Sequence, residues 1–149
     1  MDEILNFHAL TPELATSGQP TPEQFRQIAA AGYQAVINLA MPDSEDALAN
    51  EGSLVTGLGM SYHHIPVPFE APTEAHLEQF TRLLQALSGH KVWVHCQVNA
   101  RVSAFSYRYL RETMGFDEAA ATTPLLRKWR PRMDPVWRAF LGEAGDPPG

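Results

Sequence analysis

Cysteine is almost absent from this chain of 149 residues, which contains only Cys96. A single cysteine excludes a disulfide within the chain, and the six histidines are too scattered to form a zinc site of the usual cysteine and histidine spacing. This usage is typical of proteins in a reducing compartment. We therefore expect a cytoplasmic protein that needs no metal and no other cofactor.

Long apolar runs are missing as well. No stretch approaches the 18 consecutive apolar residues of a membrane-spanning helix, and the acidic residues 1–4 do not resemble a secretory signal. Basic residues are outnumbered, because 11 lysines and arginines stand against 17 aspartates and glutamates, which gives a net charge of −6. This balance argues against general nucleic-acid binding but allows a local positive pocket. A soluble protein without a membrane or nucleic-acid partner is expected.

What the chain does contain is an alternation of apolar strands and amphipathic helices. Strands are predicted at residues 4–10, 33–40, 60–67 and 92–94, with a turn at 16–20. Helices are predicted at residues 22–31, 47–58, 74–87, 101–111, 118–129 and 136–143. This order predicts a single α/β domain over residues 1–144, with a mostly parallel sheet of about four to five strands and helices on both faces. Residues 145–149 are predicted to be a disordered tail.

The chemistry is concentrated around the cysteine. The strand at residues 92–94 leads into His95 and Cys96, a short polar turn follows, and apolar residues then recur at helical spacing from Arg101 onward. A cysteine beneath a helix N-terminus lies near free N–H groups that bind anions and favour the nucleophilic thiolate. Arg101 adds a planar fork that can hold an oxyanion, and Ser103 offers a hydroxyl to the sulfur. The alternative is an inert, buried cysteine.

The loop around Cys96 resembles the phosphate-binding loop of cysteine-dependent protein tyrosine and dual-specificity phosphatases, His-Cys-x5-Arg-Ser/Thr. Here four residues, not five, separate Cys96 from Arg101. Ser103 nevertheless lies seven residues after the cysteine, where the family has its serine or threonine, and Asn99 stands in place of the family's glycine. An alignment without a gap puts Val102 at the arginine position and Arg101 one residue early, which is about a 100° rotation at a helix start.

The resemblance covers about residues 14–111. The segments Ser-Gly-Gln-Pro at 17–20, Val-Ile-Asn-Leu at 36–39 and Ile-Pro-Val at 65–67 look like those of a small bacterial phosphatase-like family, related to the domain fused to β-lactamase-like hydrolases. Members commonly have an arginine after Asn-Leu, where this chain has Ala40. The resemblance implies a tyrosine-phosphatase-like fold.

The resemblance also implies roles for the residues of the loop. Cys96 is the expected nucleophile that forms a phosphocysteine, and Ser103 is expected to ease the departure of its thiolate. Arg101 is expected to hold the phosphoryl oxygens together with N–H groups of the loop, while His95 supports the loop backbone. The phosphate-binding residues implied in this way are Gln97, Val98, Asn99, Ala100, Arg101 and Val102.

In these phosphatases an acid protonates the leaving oxygen, and this chain lacks the residue that usually has this role. Members usually have an aspartate in the loop after the Ile-Pro-Val strand, and this chain has none there. Glu70 is the carboxyl available in that loop and is our candidate for the acid. Asp43, Glu45 and Asp46, in an earlier acidic loop, are the other candidates.

A basic run with a tryptophan occupies residues 127–132. Such a run is usually a solvated helix end, and attraction of a phosphorylated partner or RNA is the alternative.

Three functions are consistent with these residues. The first is a phosphatase that hydrolyses a phosphomonoester of tyrosine, serine or a small molecule. The second is a non-catalytic phosphate-binding module, a pseudophosphatase, in which Arg101 is misdirected. For both, the expected partner is a phosphorylated substrate, or inorganic phosphate or sulfate, at the loop. The third is a sulfurtransferase of rhodanese type, since many of those enzymes have four residues between cysteine and arginine.

Overall fold

The structure is a computed structural model that describes residues 1–142. Its sheet is built from β1 (His8–Thr11), β2 (Leu14–Ser17), β3 (Ala35–Asn38), β4 (Ser61–His64) and β5 (Val92–His95). These five strands lie in the order β1-β2-β5-β3-β4. All neighbours are parallel except β1, which pairs antiparallel with β2 at one edge. The strand that carries the cysteine at its end is therefore the central one.

Helices connect the parallel strands and complete the C-terminal part of the described residues. They are α1 (Pro22–Ala30), α2 (Glu51–Gly57), α3 (Glu74–Ala86), α4 (Ala100–Arg108), α5 (Glu118–Ala121), α6 (Pro124–Trp129) and α7 (Pro135–Phe140). A π-helical turn (Tyr109–Thr113) continues α4, and a 3₁₀ turn (Arg130–Arg132) continues α6. Within residues 1–142, no helix combines the length and the apolar character needed to cross a membrane.

Local sequence explains where two of these helices begin. Thr21 accepts a hydrogen bond from the Gln24 amide at 3.1 Å, and the Gln24 side chain accepts one from the Thr21 amide at 2.9 Å. The same reciprocal arrangement starts α3, where His76 replaces the usual glutamate or glutamine opposite Thr73. Each capping box satisfies amides that the first helical turn leaves without a partner.

Two apolar cores lie on opposite faces of the sheet. In β5, Trp93 packs into the core formed with α1 and α2, whereas Val92 and Val94 pack into the core formed with α3, α4 and the C-terminal helices. A central strand with both faces covered needs apolar side chains on both sides, as its sequence has. The predicted fold class, a single α/β domain with a mostly parallel sheet between helices, is confirmed.

Several predicted boundaries around the sheet were wrong. The first strand, predicted at residues 4–10, is observed as β1 at His8–Thr11. Residues 16–20 were predicted to be a turn, but Thr16 and Ser17 are the last residues of β2, paired with β5. The helix predicted at 47–58 begins only at Glu51, because residues 47–50 are not helical.

The helix predicted at 118–129 is in fact two helices. The chain leaves the helical conformation at Thr122 and Thr123, and Thr123 then caps α6, which begins with Pro124. Proline disfavours a helical residue before it, and this explains the break. The helix predicted at 136–143 is observed as α7, but it ends earlier, at Phe140, and residues 141–142 form a turn. The predicted tail at 145–149 lies outside the described residues.

Candidate active site

The cysteine loop (residues 96–102) leaves the carboxyl end of β5 between the ends of β2 and β3. Its backbone is held by the segment after β2, because the Gln97 carbonyl accepts a hydrogen bond from the Gln19 amide at 2.9 Å. The Val98 carbonyl accepts a second bond from Asn6 Nδ2 at 2.8 Å. A Cβ at Gly18 would lie 2.7 Å from the Gln97 carbonyl oxygen, so only glycine allows this close approach.

Asn99 makes the turn that directs the loop into α4. Its φ of 80° lies in the left-handed region, which asparagine enters more readily than most residues. Its side chain donates to the Asn6 carbonyl at 2.9 Å and to Thr16 Oγ1 at 3.1 Å, and it accepts from Ser103 Oγ at 3.2 Å. Asn99 is therefore a buried residue that fixes both the shape and the position of the loop.

The loop presents a run of backbone donors. Within the described residues, the amides of residues 97–102 make no recorded backbone hydrogen bond, and the first one bonded in this stretch is Ser103, which donates to the Asn99 carbonyl at 3.1 Å. Consecutive free amides around a left-handed turn and a helix start are the arrangement that binds anions. The buried thiol of Cys96 lies at the beginning of this run.

Arg101 is buried and directed at the loop that follows β4. Its Nη1 donates to the Val67 carbonyl at 2.9 Å, and its guanidinium lies 5.7 Å from the centre of the Phe69 ring. Only 5% of the residue is exposed, and Nε is a buried donor without an acceptor among the described residues. A guanidinium held by one nitrogen keeps its remaining donors for another oxygen ligand.

Glu70 lies in the loop that Arg101 contacts, the Glu70 loop (residues 65–72). Trp137 Nε1 donates to the Phe69 carbonyl at 2.8 Å, and this bond anchors the loop at a second point. Glu70 itself is exposed and makes no recorded hydrogen bond or ion pair within residues 1–142. The structure thus places Glu70 one residue beyond the aromatic ring that covers Arg101.

Ser103 lies beneath the loop and is fully buried. Its hydroxyl donates to Asn99 Oδ1 at 3.2 Å and contacts Thr123 Oγ1 at 2.6 Å. A hydroxyl has one proton, which is here used on Asn99. The described residues show no hydrogen bond between Ser103 and the Cys96 sulfur, so Ser103 contacts the loop through Asn99.

His95 belongs to a buried ionic pair that the sequence analysis did not identify. Its Nε2 lies 2.5 Å from Glu51 Oε2, and its Nδ1 lies 3.2 Å from the Cys96 carbonyl oxygen. The other Glu51 oxygen accepts from Gln19 Nε2 at 2.8 Å. Burial by itself would raise the pKa of Glu51, but the hydrogen bond and charge of His95 and the bond from Gln19 hold it below its ordinary value. The available signal was that a buried histidine needs a polar partner.

No metal centre accompanies these residues. Within residues 1–142, no group of three or more histidine, cysteine, aspartate or glutamate side chains is arranged to hold a metal ion. The earlier acidic loop, with Asp43, Glu45 and Asp46, forms turns between β3 and α2.

Known proteins are similar to this chain in sequence and in fold. The family model of the phosphatase-like domain of β-lactamase hydrolase-like proteins matches residues 6–107. A β-lactamase hydrolase-like protein of Xylella fastidiosa is 29% identical over 137 residues, which cover 80% of this chain and 31% of that protein. The chain therefore spans less than a third of the length of this relative.

Two crystal structures extend the comparison. A candidate phosphatase of the DUF442 group from Shewanella putrefaciens has 36% identity and a TM-score of 0.86, over 96% of this chain and 93% of its own. Tk-PTP in its active form has 21% identity and a TM-score of 0.74, over 93% of this chain and 95% of its own, and it shows that the fold is tyrosine-phosphatase-like. On the family match, which covers more than half of its residues, the chain belongs to the phosphatase-like domain family of β-lactamase hydrolase-like proteins.

Proposed function

We propose that this protein is a phosphatase that hydrolyses phosphomonoesters through a covalent phosphocysteine on Cys96. The observation that carries the proposal is the row of amides at residues 97–102, which follow the thiol and have no recorded backbone acceptor within the described residues. Such a row can donate to the oxygens of a phosphoryl group as negative charge builds up on them. Membership in a phosphatase-like family supports the same reaction class.

The chemistry would proceed in two displacements. In the first, the Cys96 thiolate attacks phosphorus, an S–P bond forms, the ester P–O bond breaks, and the leaving oxygen takes a proton from a nearby acid. In the second, water attacks phosphorus and gives a proton to the conjugate base of that acid, the S–P bond breaks, and inorganic phosphate and the thiolate are released. His95, paired with Glu51, contacts the Cys96 carbonyl and so holds the backbone that carries the nucleophile in both steps.

Arg101 would bind the phosphoryl group despite its early position in the loop. Its bond to the Val67 carbonyl fixes the guanidinium, while Nε needs an acceptor that the described residues do not provide. A phosphate oxygen is a suitable acceptor for such a charged donor. Ser103 would act as a positioning residue, because its contacts reach the loop through Asn99.

Glu70 would be the acid for the leaving group. It follows Phe69, whose ring covers Arg101, and the Glu70 loop is fixed at two points by Arg101 and Trp137. A carboxylic acid at the mouth of the site can reach the ester oxygen of a bound substrate after a side-chain rotation.

The reaction is tested with p-nitrophenyl phosphate on the wild type and two variants. We expect turnover that Cys96→Ser abolishes, that vanadate inhibits, and that Arg101→Lys lowers by about 10²–10³-fold, the usual effect of removing a preorganised donor. Vanadate binding without turnover would favour the non-catalytic phosphate-binding module. Cys96-dependent sulfur transfer from thiosulfate to cyanide, with no phosphatase activity, would favour the sulfurtransferase.

The role of Glu70 is tested by the choice of leaving group. Glu70→Gln should lower turnover of phenyl phosphate by about 10²–10⁴-fold, because phenolate is a poor leaving group that needs a proton. It should affect p-nitrophenyl phosphate much less. Glu45→Gln and Asp46→Asn are the matched controls, and the same selective loss in either of them would assign the acid to the earlier acidic loop.

A further inference from the structure

A groove with positive charge lies between the start of the chain and α6. It has a volume of about 460 Å³ and is lined by Asn6, Phe7 and His8 on one side and by Lys128, Trp129 and Arg132 on the other. We call it the basic groove. No aspartate or glutamate lines it. Its volume lies within the range of small-molecule sites, which is about 300–1,000 Å³.

The cations of the basic groove are not neutralised by carboxylates. Within residues 1–142, Lys128 and Arg132 form no recorded ion pair, whereas Arg26, Arg82 and Arg108 do. Both side chains are exposed, on a chain with a net charge of −6. On the opposite wall, burial and the charge of nearby Arg127, which does not line the groove, both lower the pKa of His8.

The basic groove is directly connected to the cysteine loop. Asn6, in its wall, donates to the Val98 carbonyl at 2.8 Å and accepts from Asn99 at 2.9 Å. Thr123, at its other wall, contacts Ser103 at 2.6 Å. Thr123 meets the loop from beneath, whereas Asn6 contacts it at Val98, which is 42% exposed and so marks the open side on which groove and loop adjoin.

Aromatic rings form a second connection, on the side of Arg101. Trp129, in the wall of the groove, stacks with Phe69 at 5.8 Å between ring centres, and Phe69 covers the Arg101 guanidinium. Flat apolar surfaces of this kind pack against the carbon skeleton of a ligand. The groove thus offers apolar contact from Phe7 and Trp129 and two cations, Lys128 and Arg132.

We propose that the basic groove binds a second phosphate of the substrate, so that the preferred substrates are small bisphosphorylated molecules. This inference rests on the proposed phosphatase function, because it assigns the scissile phosphate to the cysteine loop. Lys128 and Arg132 bind the distal phosphate, and the carbon skeleton between the two phosphates lies against Phe7 and Trp129. Two cations suit one phosphate, whereas a nucleic-acid backbone requires a longer basic surface.

The test uses pairs of substrates that differ in one phosphate. Alkane-diol bisphosphates of increasing length are compared with alkyl monophosphates of the same length, and kcat/KM is measured by phosphate release. The ratio of the two values, corrected for the two equivalent phosphates, is determined for the wild type and for Lys128→Gln/Arg132→Gln. The control is Arg26→Gln/Arg82→Gln, which removes the same charge from exposed ion pairs outside the groove.

For the wild type and the control, we expect kcat/KM at one chain length to be about tenfold or more higher for the bisphosphate than for the monophosphate. Hydrogen bonds to charged groups generally have effects of this size. The groove variant should lose most of this preference. A wild type without preference at any length, or an equal preference in the groove variant and the control, would overturn the proposal. Thermal unfolding of all three proteins checks that each is folded.

A separate measurement distinguishes failure of the groove from failure of the proposed catalysis. If no substrate is turned over in a manner that depends on Cys96, the phosphatase proposal fails. Calorimetric titration of the bisphosphates into Cys96→Ser then tests the groove alone. Binding weakened by the groove substitutions, but not by the control substitutions, supports the groove, and equal binding in both overturns it.

Discussion

His95 is paired with Glu51 beneath the cysteine loop, and both of its ring nitrogens face oxygen atoms. The Cys96 carbonyl oxygen lies 3.2 Å from Nδ1, and Glu51 Oε2 lies 2.5 Å from Nε2. Both residues of the pair are buried, and Gln19 satisfies the second carboxylate oxygen. The pair joins the start of α2 to the end of β5 and so fixes the backbone directly before Cys96.

Replacement of one partner of this pair should destabilise the fold. We expect Glu51→Gln to lower the free energy of unfolding at neutral pH by about 3 kcal/mol, since a buried charge is then left without its opposite charge. Urea denaturation measures the loss. Glu78→Gln is the control, because it removes a carboxylate from the exposed ion pair with Arg82 and should have a much smaller effect.

The pH dependence of this loss follows from the direction of the pKa shift. The pKa of Glu51 is lower in the folded state than its ordinary value of 4.5, so its contribution is present above that value and disappears as the pH falls through the folded pKa. The difference in unfolding free energy between wild type and Glu51→Gln should therefore shrink in acid. A difference that stays constant from neutral pH into acid would show that the carboxylate is not ionised in the pair.

At the scale of elements, the turn after β2 fixes the position of the cysteine loop. Gly18 donates its amide to the Leu5 carbonyl at 2.7 Å, and Gln19, the next residue, donates to the Gln97 carbonyl. A methyl group at Gly18 would meet the Gln97 oxygen at 2.7 Å and the Leu5 side chain at 2.9 Å. The turn and the loop can approach this closely only because no side chain lies between them.

We expect Gly18→Ala to lower the free energy of unfolding by about 1–3 kcal/mol, the usual range for overpacking. The displaced loop should also bind vanadate more weakly, which inhibition of p-nitrophenyl phosphate hydrolysis measures. Gly57→Ala, in α2, is the matched control. It meets no atom within 4 Å and should stabilise the protein slightly through helix propensity. Unchanged stability and vanadate inhibition in Gly18→Ala would contradict the close contact.

Elements with local signals could be predicted from the sequence, whereas elements defined by distant contacts could not. The capping box at Thr21 and the apolar run at β3 identify their elements within a few residues. By contrast, Leu14–Ser17 contains only two apolar residues, and it is a strand because it pairs with β5, far along the chain.

The same distinction applies to the candidate site. The order of cysteine, polar turn and helix predicted a loop at a helix N-terminus. The left-handed conformation of Asn99 is one that asparagine adopts more readily than most residues. The partner of His95 is 44 residues away in sequence, and the acceptor of Arg101 is 34 residues away. The spacing of residues within the motif does not indicate contacts with such distant parts of the chain, so the direction of Arg101 could not be predicted.

At the scale of the whole molecule, the C-terminal helices belong to the same core as the site. The family match ends at residue 107, yet Trp137 and Phe140 of α7 are buried against Phe105 of α4. Trp137 is fully buried, and its indole N–H anchors the Glu70 loop at Phe69. A chain that shares one core between its sheet and its C-terminal helices should unfold as one unit.

We therefore expect Trp137→Ala to lower the free energy of unfolding by about 3–5 kcal/mol, the usual loss for a large buried aromatic side chain. Urea transitions followed by near-UV and far-UV circular dichroism should coincide for the wild type, because the sheet and helices unfold together. Val136→Ala is the control on the same helix, and its exposed side chain should change stability by no more than about 0.5 kcal/mol. Two separate transitions in the wild type, with only one of them shifted by Trp137→Ala, would show that the C-terminal helices fold independently of the sheet that carries Cys96.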